Sequence, residues 1–191
     1  PQDLESSTAF QPPEILFPIW MTAILRHGTG PKAAMLTLAA NPPGGHRHKD
    51  NLGLFYLDQG DVILGDHGYL GDMPQNAWIK SAKSHNLVVV DDADQSPSSR
   101  ITKLQMMFTT PEASAVEFSS TAYSACSEYR RLVVMIKGPQ SETFLVDVFR
   151  VTGGRRHAFR VFSDIGASDS AVGGIALTGV ELPPEPELPG G

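Results

Sequence analysis

The segment from His46 to Leu57 alternates in a way that few folds accommodate. His46, His48 and Asp50 occupy every second position, and Leu52 and Leu54 continue the same phase. Alternate side chains of a β-strand share a face, so the pattern predicts a strand with two imidazoles and a carboxylate on one side. Asp58-Gln59-Gly60 and the short apolar stretch Val62 to Leu64 follow. This reads as a hairpin whose three-residue loop has Gly60 in the left-handed position, pairing Leu57 with Asp61 and, by extension, Leu52 with Asp66. Asp66 then falls on the face of His46, His48 and Asp50, whereas a loop one residue shorter or longer reverses it. In that register Asp66 remains about 13 Å from His48 along the sheet, so a twist, a bend or a third strand must close the gap.

Most of the remaining sequence has the same β character. Ala33 to Ala39, Leu87 to Val90, Lys103 to Phe108, Ala115 to Phe118, Arg131 to Lys137, Thr143 to Val151 and His157 to Phe162 are strand-length stretches. Turn signals at Asn41-Pro42-Pro43-Gly44-Gly45, Lys137-Gly138-Pro139 and Thr152-Gly153-Gly154 punctuate them. Ile15 to Leu25 reads as a strand or a short helix. Short strands with regular turns predict an all-β fold, an antiparallel two-layer sandwich with little helix. The domain is expected over residues 15–180. Residues 1–14 read as a linker or a connection from an upstream region, and the Pro/Gly-rich residues 181–191 as a flexible tail.

Composition narrows the partners. With 41% apolar and 19% charged residues the chain has an ordinary globular balance. Its net charge of -6 argues against nucleic acid, which asks for a basic face. A polyanionic ligand would need a local patch, and Arg130, Arg131, Arg150, Arg155, Arg156 and Arg160 lean to the second half; the alternative is scattered, solvated arginines. Cys126 is the single cysteine, so no intrachain disulfide forms. No apolar run approaches the roughly 20 residues of a membrane span. The chain opens on Pro1 with no signal peptide, which reads as a piece or a processed product of something longer.

Histidine and carboxylate in this density point to a metal. Zinc takes imidazole and carboxylate ligands, and His48, Asp66 and His85 together offer three, with a fourth position for water or another group. Against this, an isolated His-x-His on a strand is more often surface or second-layer than ligand. His67, next to Asp66, points the opposite way and reads as structural. His27 and His157 have no partner in sequence, and Trp78 and Tyr69 read as core or loop anchors rather than sugar platforms.

These residues resemble a known family. His46-x-His48-x-Asp50-x-Leu52-x-Leu54, then Gly60, then Asp66-x-Gly68, then Ser84-His85-Asn86 before Leu87 to Asp91, with Asp94-Gln95 after it, resemble the heparinase II/III-like polysaccharide lyases. Tyr129-Arg130-Arg131 and Leu145 to Val151 look like that family's later strands. The resemblance spans about residues 22–162. It departs at His67, where the family usually has proline.

The resemblance implies that this chain is the C-terminal β-sandwich domain of a uronate-polysaccharide lyase acting by β-elimination, in the degradation of glycosaminoglycan or alginate. It implies zinc held by His48, Asp66 and His85, and a catalytic role for His46 at the substrate cleft. The family's catalytic tyrosine belongs to an α-helical toroid domain upstream, so this chain alone is expected to be inactive. Implied partners are an acidic polysaccharide or oligosaccharide, the upstream toroid and a second copy in a homodimer. A periplasmic or secreted bacterial location follows from the same resemblance. Two alternatives belong to other classes: a cupin-like metal-dependent oxygenase or isomerase, although no glutamate follows His48 where a cupin needs one, and a non-catalytic carbohydrate-binding sandwich.

Overall fold

The β-forming stretches pair with their sequence neighbours into two antiparallel meanders and a small third ladder. The computed structural model describes residues 14–41, 48–68, 71, 73–96, 101–139 and 142–163. The first meander has the order β1 (Ile15–Phe17), β2 (Thr22–His27), β3 (Ala34–Ala39), β4 (Gly53–Asp58) and β5 (Asp61–Leu64). After β6 (Val88–Val90), the second meander runs β7 (Thr102–Thr109), β8 (Ala113–Ser120), β9 (Cys126–Lys137) and β10 (Thr143–Gly153). β11 (His157–Phe159) returns to pair with β6. Among the described residues, helix is limited to α1 (Asn76–Ile79) and short 3₁₀ turns at Gly30–Lys32 and Ala82–Ser84. The expected all-β antiparallel fold with little helix is what forms. No helix among the described residues is long and apolar enough to cross a membrane. Of the expected connection over residues 1–14 only Glu14 is described, and the expected tail at 181–191 lies outside the described residues.

Period-2 patterning puts one face of each meander into a shared core. Ala23 and Leu25 of β2, Leu36 and Leu38 of β3, and Leu54 and Tyr56 of β4 are buried and sit in register with one another. They pack with Val116 and Phe118 of β8, Tyr129, Val133 and Met135 of β9, and Val88 and Val90 of β6. Burying such residues contributes roughly 1.5–3 kcal/mol per large apolar side chain.

Three expectations are revised. Ile15 to Leu25 is neither one strand nor a helix; it breaks at Pro18 to Met21, with Met21 at φ 47°, into β1 and β2. Of the strand predicted from His46, the described residues 48–52 fold back and only Gly53 onward is strand. Leu52 has φ 66°, and Gly53 N–H donates to Asp50 O at 2.6 Å. A Cβ on Gly53 would lie 2.6 Å from that same oxygen, so the tight turn requires glycine. The hairpin loop has two residues rather than three: Asp58 pairs with Asp61 around Gln59 (φ 54°) and Gly60 (φ 93°). A bulge then skips Ile63, since Leu57 pairs with Val62 but Tyr56 with Leu64, and this restores the phase that the shorter loop reverses.

Four of the six arginines that could form a basic patch are committed to carboxylates instead. Arg130 and Arg150 both donate to Glu117, Arg156 pairs with Asp92, and Arg131 is buried on the inner face of β9. Burial pushes the Glu117 carboxyl up, but the hydrogen bonds from Arg130 and Arg150 outweigh it and hold it below the ordinary carboxylate value.

Arg131 is the polar centre of the sandwich. Its Nε and one terminal nitrogen donate to the Asp147 carboxylate at 2.9 and 2.5 Å, and the other donates to Leu52 O at 2.7 Å and Asn86 O at 2.5 Å. The guanidinium also lies 5.2 Å from the Phe149 ring centroid. Arg131→Met should lower the unfolding free energy by about 3–5 kcal/mol in urea titrations, because it strands Asp147 and two carbonyls. The double variant Arg131→Met/Asp147→Leu should recover part of that loss. Equal losses in both would assign the effect to the two carbonyl contacts alone.

Candidate metal centre

Four ligand-type side chains converge at one end of β4 and β5. His48, Asp50, Asp66 and His85 each offer an atom, and these atoms all lie within 4.8 Å of one another. Each residue arrives on a segment outside regular strand, and each segment is tied down by backbone hydrogen bonds.

The 48–52 turn is fixed on both flanks. Lys49 N–H donates to Lys80 O at 2.9 Å, and the Lys49 ammonium meets Asp94 at 2.6 Å. Leu52 N–H donates to Ala39 O at 2.8 Å. The buried Gln95 amide reads the turn like a backbone strand: it accepts from Asn51 N at 2.8 Å and donates to Asn51 O at 2.9 Å. Asp66 sits just past β5, where Gly65 N–H donates to Phe162 O at 3.2 Å. Asp66 Oδ1 accepts from Gly68 N at 2.7 Å, which turns its other oxygen toward His85 at 3.2 Å. His85 follows the Ala82–Ser84 turn and is 3% exposed, too buried to be an ordinary surface histidine.

Asn86 joins these segments. Its side-chain amide donates to Leu54 O at 3.2 Å and Gly65 O at 2.7 Å, and its carbonyl accepts from Phe162 N at 2.5 Å. With Arg131 on its backbone oxygen, Asn86 links the position next to His85 to the residue before Asp66. The sequence by itself assigns no site role to Asn86 or Arg131; the His85-Asn86 adjacency and an arginine opening the apolar run Leu132 to Ile136 are the available signals.

The electrostatics favour a cation at the meeting point. His85 Nδ1 lies 2.8 Å from Ser81 O, an acceptor only, so this nitrogen carries the hydrogen. In neutral His85 the lone pair is then on Nε2, which faces Asp66 Oδ2 at 3.2 Å and His48 Nδ1 at 2.9 Å. A lone pair against a carboxylate is repulsive unless a proton or metal ion lies between them. Burial disfavours imidazolium, yet Asp66 and Asp50 outweigh it and hold the His85 pKa above its ordinary value. Burial likewise pushes Asp66 up, while His85, Gly68 N–H and His48 bring it below the usual carboxylate range. A ligating histidine held through its second nitrogen by a carbonyl is the arrangement that fixes tautomer and ring orientation.

His48, Asp66 and His85 are thus brought together as their ligand types suggest, although His48 is not on the predicted strand. Asp50 joins them, a residue that the sequence pattern placed on the same face without assigning it as a ligand. His46 lies outside the described residues. His67 points away from the cluster, its ring 5.1 Å from Trp78 and 5.0 Å from Phe162. His27 closes β2, where Ser114 Oγ is 3.4 Å from its Nε2, and His157 contacts Gly153 O at 2.7 Å.

A two-meander antiparallel sandwich with a His/Asp cluster beyond a hairpin defines the class. The sequence model of the heparinase II/III-like C-terminal family matches residues 12–178, and the chain belongs to that family. No curated protein sequence matches the chain. Among solved structures it is similar to a mutant of the heparan sulfate lyase HepC from Pedobacter heparinus, with 18% identity, a TM-score of 0.67, and coverage of 78% of this chain and 23% of that one. It is also similar to a heparinase III gene product at 20% identity and TM-score 0.64, covering 74% of this chain and 22% of that one. A further heparinase III structure matches at 20% identity and TM-score 0.62, covering 75% and 23%. The chain therefore spans under a quarter of the length of these relatives.

Asn86→Ala should lower stability by about 2–3 kcal/mol in urea unfolding, since two carbonyls and one N–H lose their buried partner. Asn86→Asp should be no milder, because it sets a carboxylate oxygen against the Leu54 and Gly65 carbonyls. A loss below about 0.5 kcal/mol in both would remove Asn86 from the framework of the site.

Proposed function

We propose that this chain is the C-terminal β-sandwich domain of a longer lyase that cleaves uronate-containing polysaccharides by β-elimination, and that His48, Asp66 and His85 hold one zinc ion. The observation that supports it most directly is the convergence of those three side chains and Asp50 within 4.8 Å in a chain of this family. Two imidazoles and two carboxylates suit zinc in number and type, and Asp50 is available as the fourth ligand. Zinc would supply a fixed positive charge that cross-links the 48–52, 65–68 and 81–86 segments. The protein's own contribution is orientation: Ser81 O sets the tautomer of His85, and Gly68 N–H turns the Asp66 carboxylate.

β-Elimination needs three things. The uronate carboxylate must be neutralised, a base must take the C5 proton, and an acid must protonate the leaving oxygen. We assign His46, two residues before His48, to neutralisation or proton transfer. The catalytic tyrosine is assigned to an upstream helical toroid, so the site is split between two domains. A periplasmic or secreted location and a homodimer belong to the same reading. The family match leaves the cupin and non-catalytic alternatives without a supporting observation.

The metal assignment predicts about one zinc per chain by elemental analysis, lost in His48→Ala and in His85→Ala. Chelation should lower the melting temperature of the wild type and leave those variants unmoved, because metal binding adds to folding free energy. Zinc-free wild type, or variants that retain a full equivalent, would end it.

The split-site assignment predicts that residues 1–191 do not form unsaturated product while the longer protein does, followed by absorbance of the new unsaturated chain end. His46→Ala in the longer protein should cut turnover about 10²–10³-fold with zinc retained. Full activity of the short chain would contradict the division of the site.

A further inference from the structure

Trp78 is the feature that the metal centre leaves unexplained. It lies on α1 between two site residues and is 41% exposed, while its helical neighbour Ile79 is buried. Two short paths join it to the site. Its carbonyl accepts from Ser81 Oγ at 2.6 Å and Ser81 N at 2.9 Å, and Ser81 O holds His85. Its ring lies 5.1 Å from His67, the residue after Asp66.

The indole is fixed by its edges. His67 meets it at 49° and Phe162 at 89°, and His67 meets Phe162 at 72°. Among the described residues no ring stacks parallel over Trp78. A tryptophan anchored at steep angles, with two-fifths of its surface in water, offers a preorganised π-face. The axial C–H groups of a pyranose ring carry partial positive charge and match the negative face of that π-system. A sugar stacked there also buries apolar area without ordering the protein further.

Charge selects the class of sugar. Arg160 lies two residues before Phe162, and its Nε is buried with no hydrogen-bond partner among the described residues. That contrasts with Arg130, Arg131, Arg150 and Arg156, all committed to carboxylates. A guanidinium with an unsatisfied buried donor, in the segment that carries the aromatic cluster, favours a carboxylated or sulfated ring over a neutral one.

We propose that Trp78, braced by His67 and Phe162, is a stacking platform for one sugar ring of an acidic oligosaccharide beside the His/Asp cluster, with Arg160 supplying the counter-charge. This deepens the lyase reading by naming a subsite, and rests on it for the substrate class. It places Trp78 as a binding residue, contrary to the anchor role that its sequence context suggested.

The test uses the 191-residue chain, which holds two tryptophans, Trp20 and Trp78. In Trp20→Phe the emission reports Trp78 alone. Titration with uronate hexasaccharides from heparan sulfate or alginate should quench or shift it saturably, and a neutral cello-hexasaccharide should not. Calorimetry should show Trp78→Ala binding about tenfold or more weakly, with Trp78→Phe between it and wild type and Arg160→Gln weakened for acidic sugars only. Far-UV CD and zinc content checked on Trp78→Phe keep a folding defect in Trp78→Ala from imitating the effect. Unchanged affinity in Trp78→Ala and Trp78→Phe, equal binding of the neutral sugar, or absence of any binding would overturn the proposal. So would shielding of Trp78 from acrylamide in the longer protein before ligand is added, which would make it a domain contact. If the longer protein binds through Trp78 but forms no unsaturated product, the lyase reading fails while the subsite stands.

Discussion

One buried guanidinium sets the geometry on which the site depends. Arg131 stands on the inner face of β9, where neighbouring inward residues are Tyr129 and Val133, and it is 1% exposed. A charge there is tolerable only if it is paired and hydrogen-bonded, and four hydrogen bonds to Asp147, Leu52 O and Asn86 O engage all three guanidinium nitrogens. The consequence is mechanical as well as energetic. The second meander reaches across the sandwich and grips the two segments that carry Asp50 and His85, so those segments cannot drift independently of the core.

Around that contact lies a continuous polar framework. Tyr129 OH donates to Val88 O at 2.7 Å, Gln95 Nε2 approaches Tyr129 OH at 3.3 Å, and Gln95 clamps Asn51. Asn86 carries the framework on to Gly65 and Phe162. Buried networks of this kind are costly when incomplete and rigid when complete. Here they replace the β-ladder where regular pairing stops, which lets irregular turns bring four ligand atoms within 4.8 Å of one another. The same framework supports the neighbouring aromatic cluster, because Phe162, the partner of both His67 and Trp78, is hydrogen-bonded through its backbone to Asn86.

The fold was largely legible because strand patterning is local. Alternating apolar residues in β3, β8 and β9, and the turn residues between them, require only neighbouring side chains to share a face. The ligand types were legible too, since His48, Asp66 and His85 are unusual residues for a half-buried β-segment. The hairpin shows where such reasoning reaches its limit. A two-residue loop and a bulge at Ile63 give the phase that a plain three-residue loop gives, by a route that residue types alone do not distinguish.

By itself, then, the sequence determined the class of fold, the pairing of sequence neighbours and the chemical identity of the cluster, all of which follow from side-chain type and period. Tertiary structure decided the rest. The reversal at Leu52 that takes His48 and Asp50 off the strand depends on Gln95 and Arg131, residues more than forty positions away in the chain. The tautomer of His85 depends on Ser81 O, and the commitment of Arg130, Arg131 and Arg150 to carboxylates depends on cross-strand neighbours. These are contacts between segments with no fixed separation in sequence, and only closing the sandwich brings them within hydrogen-bonding distance.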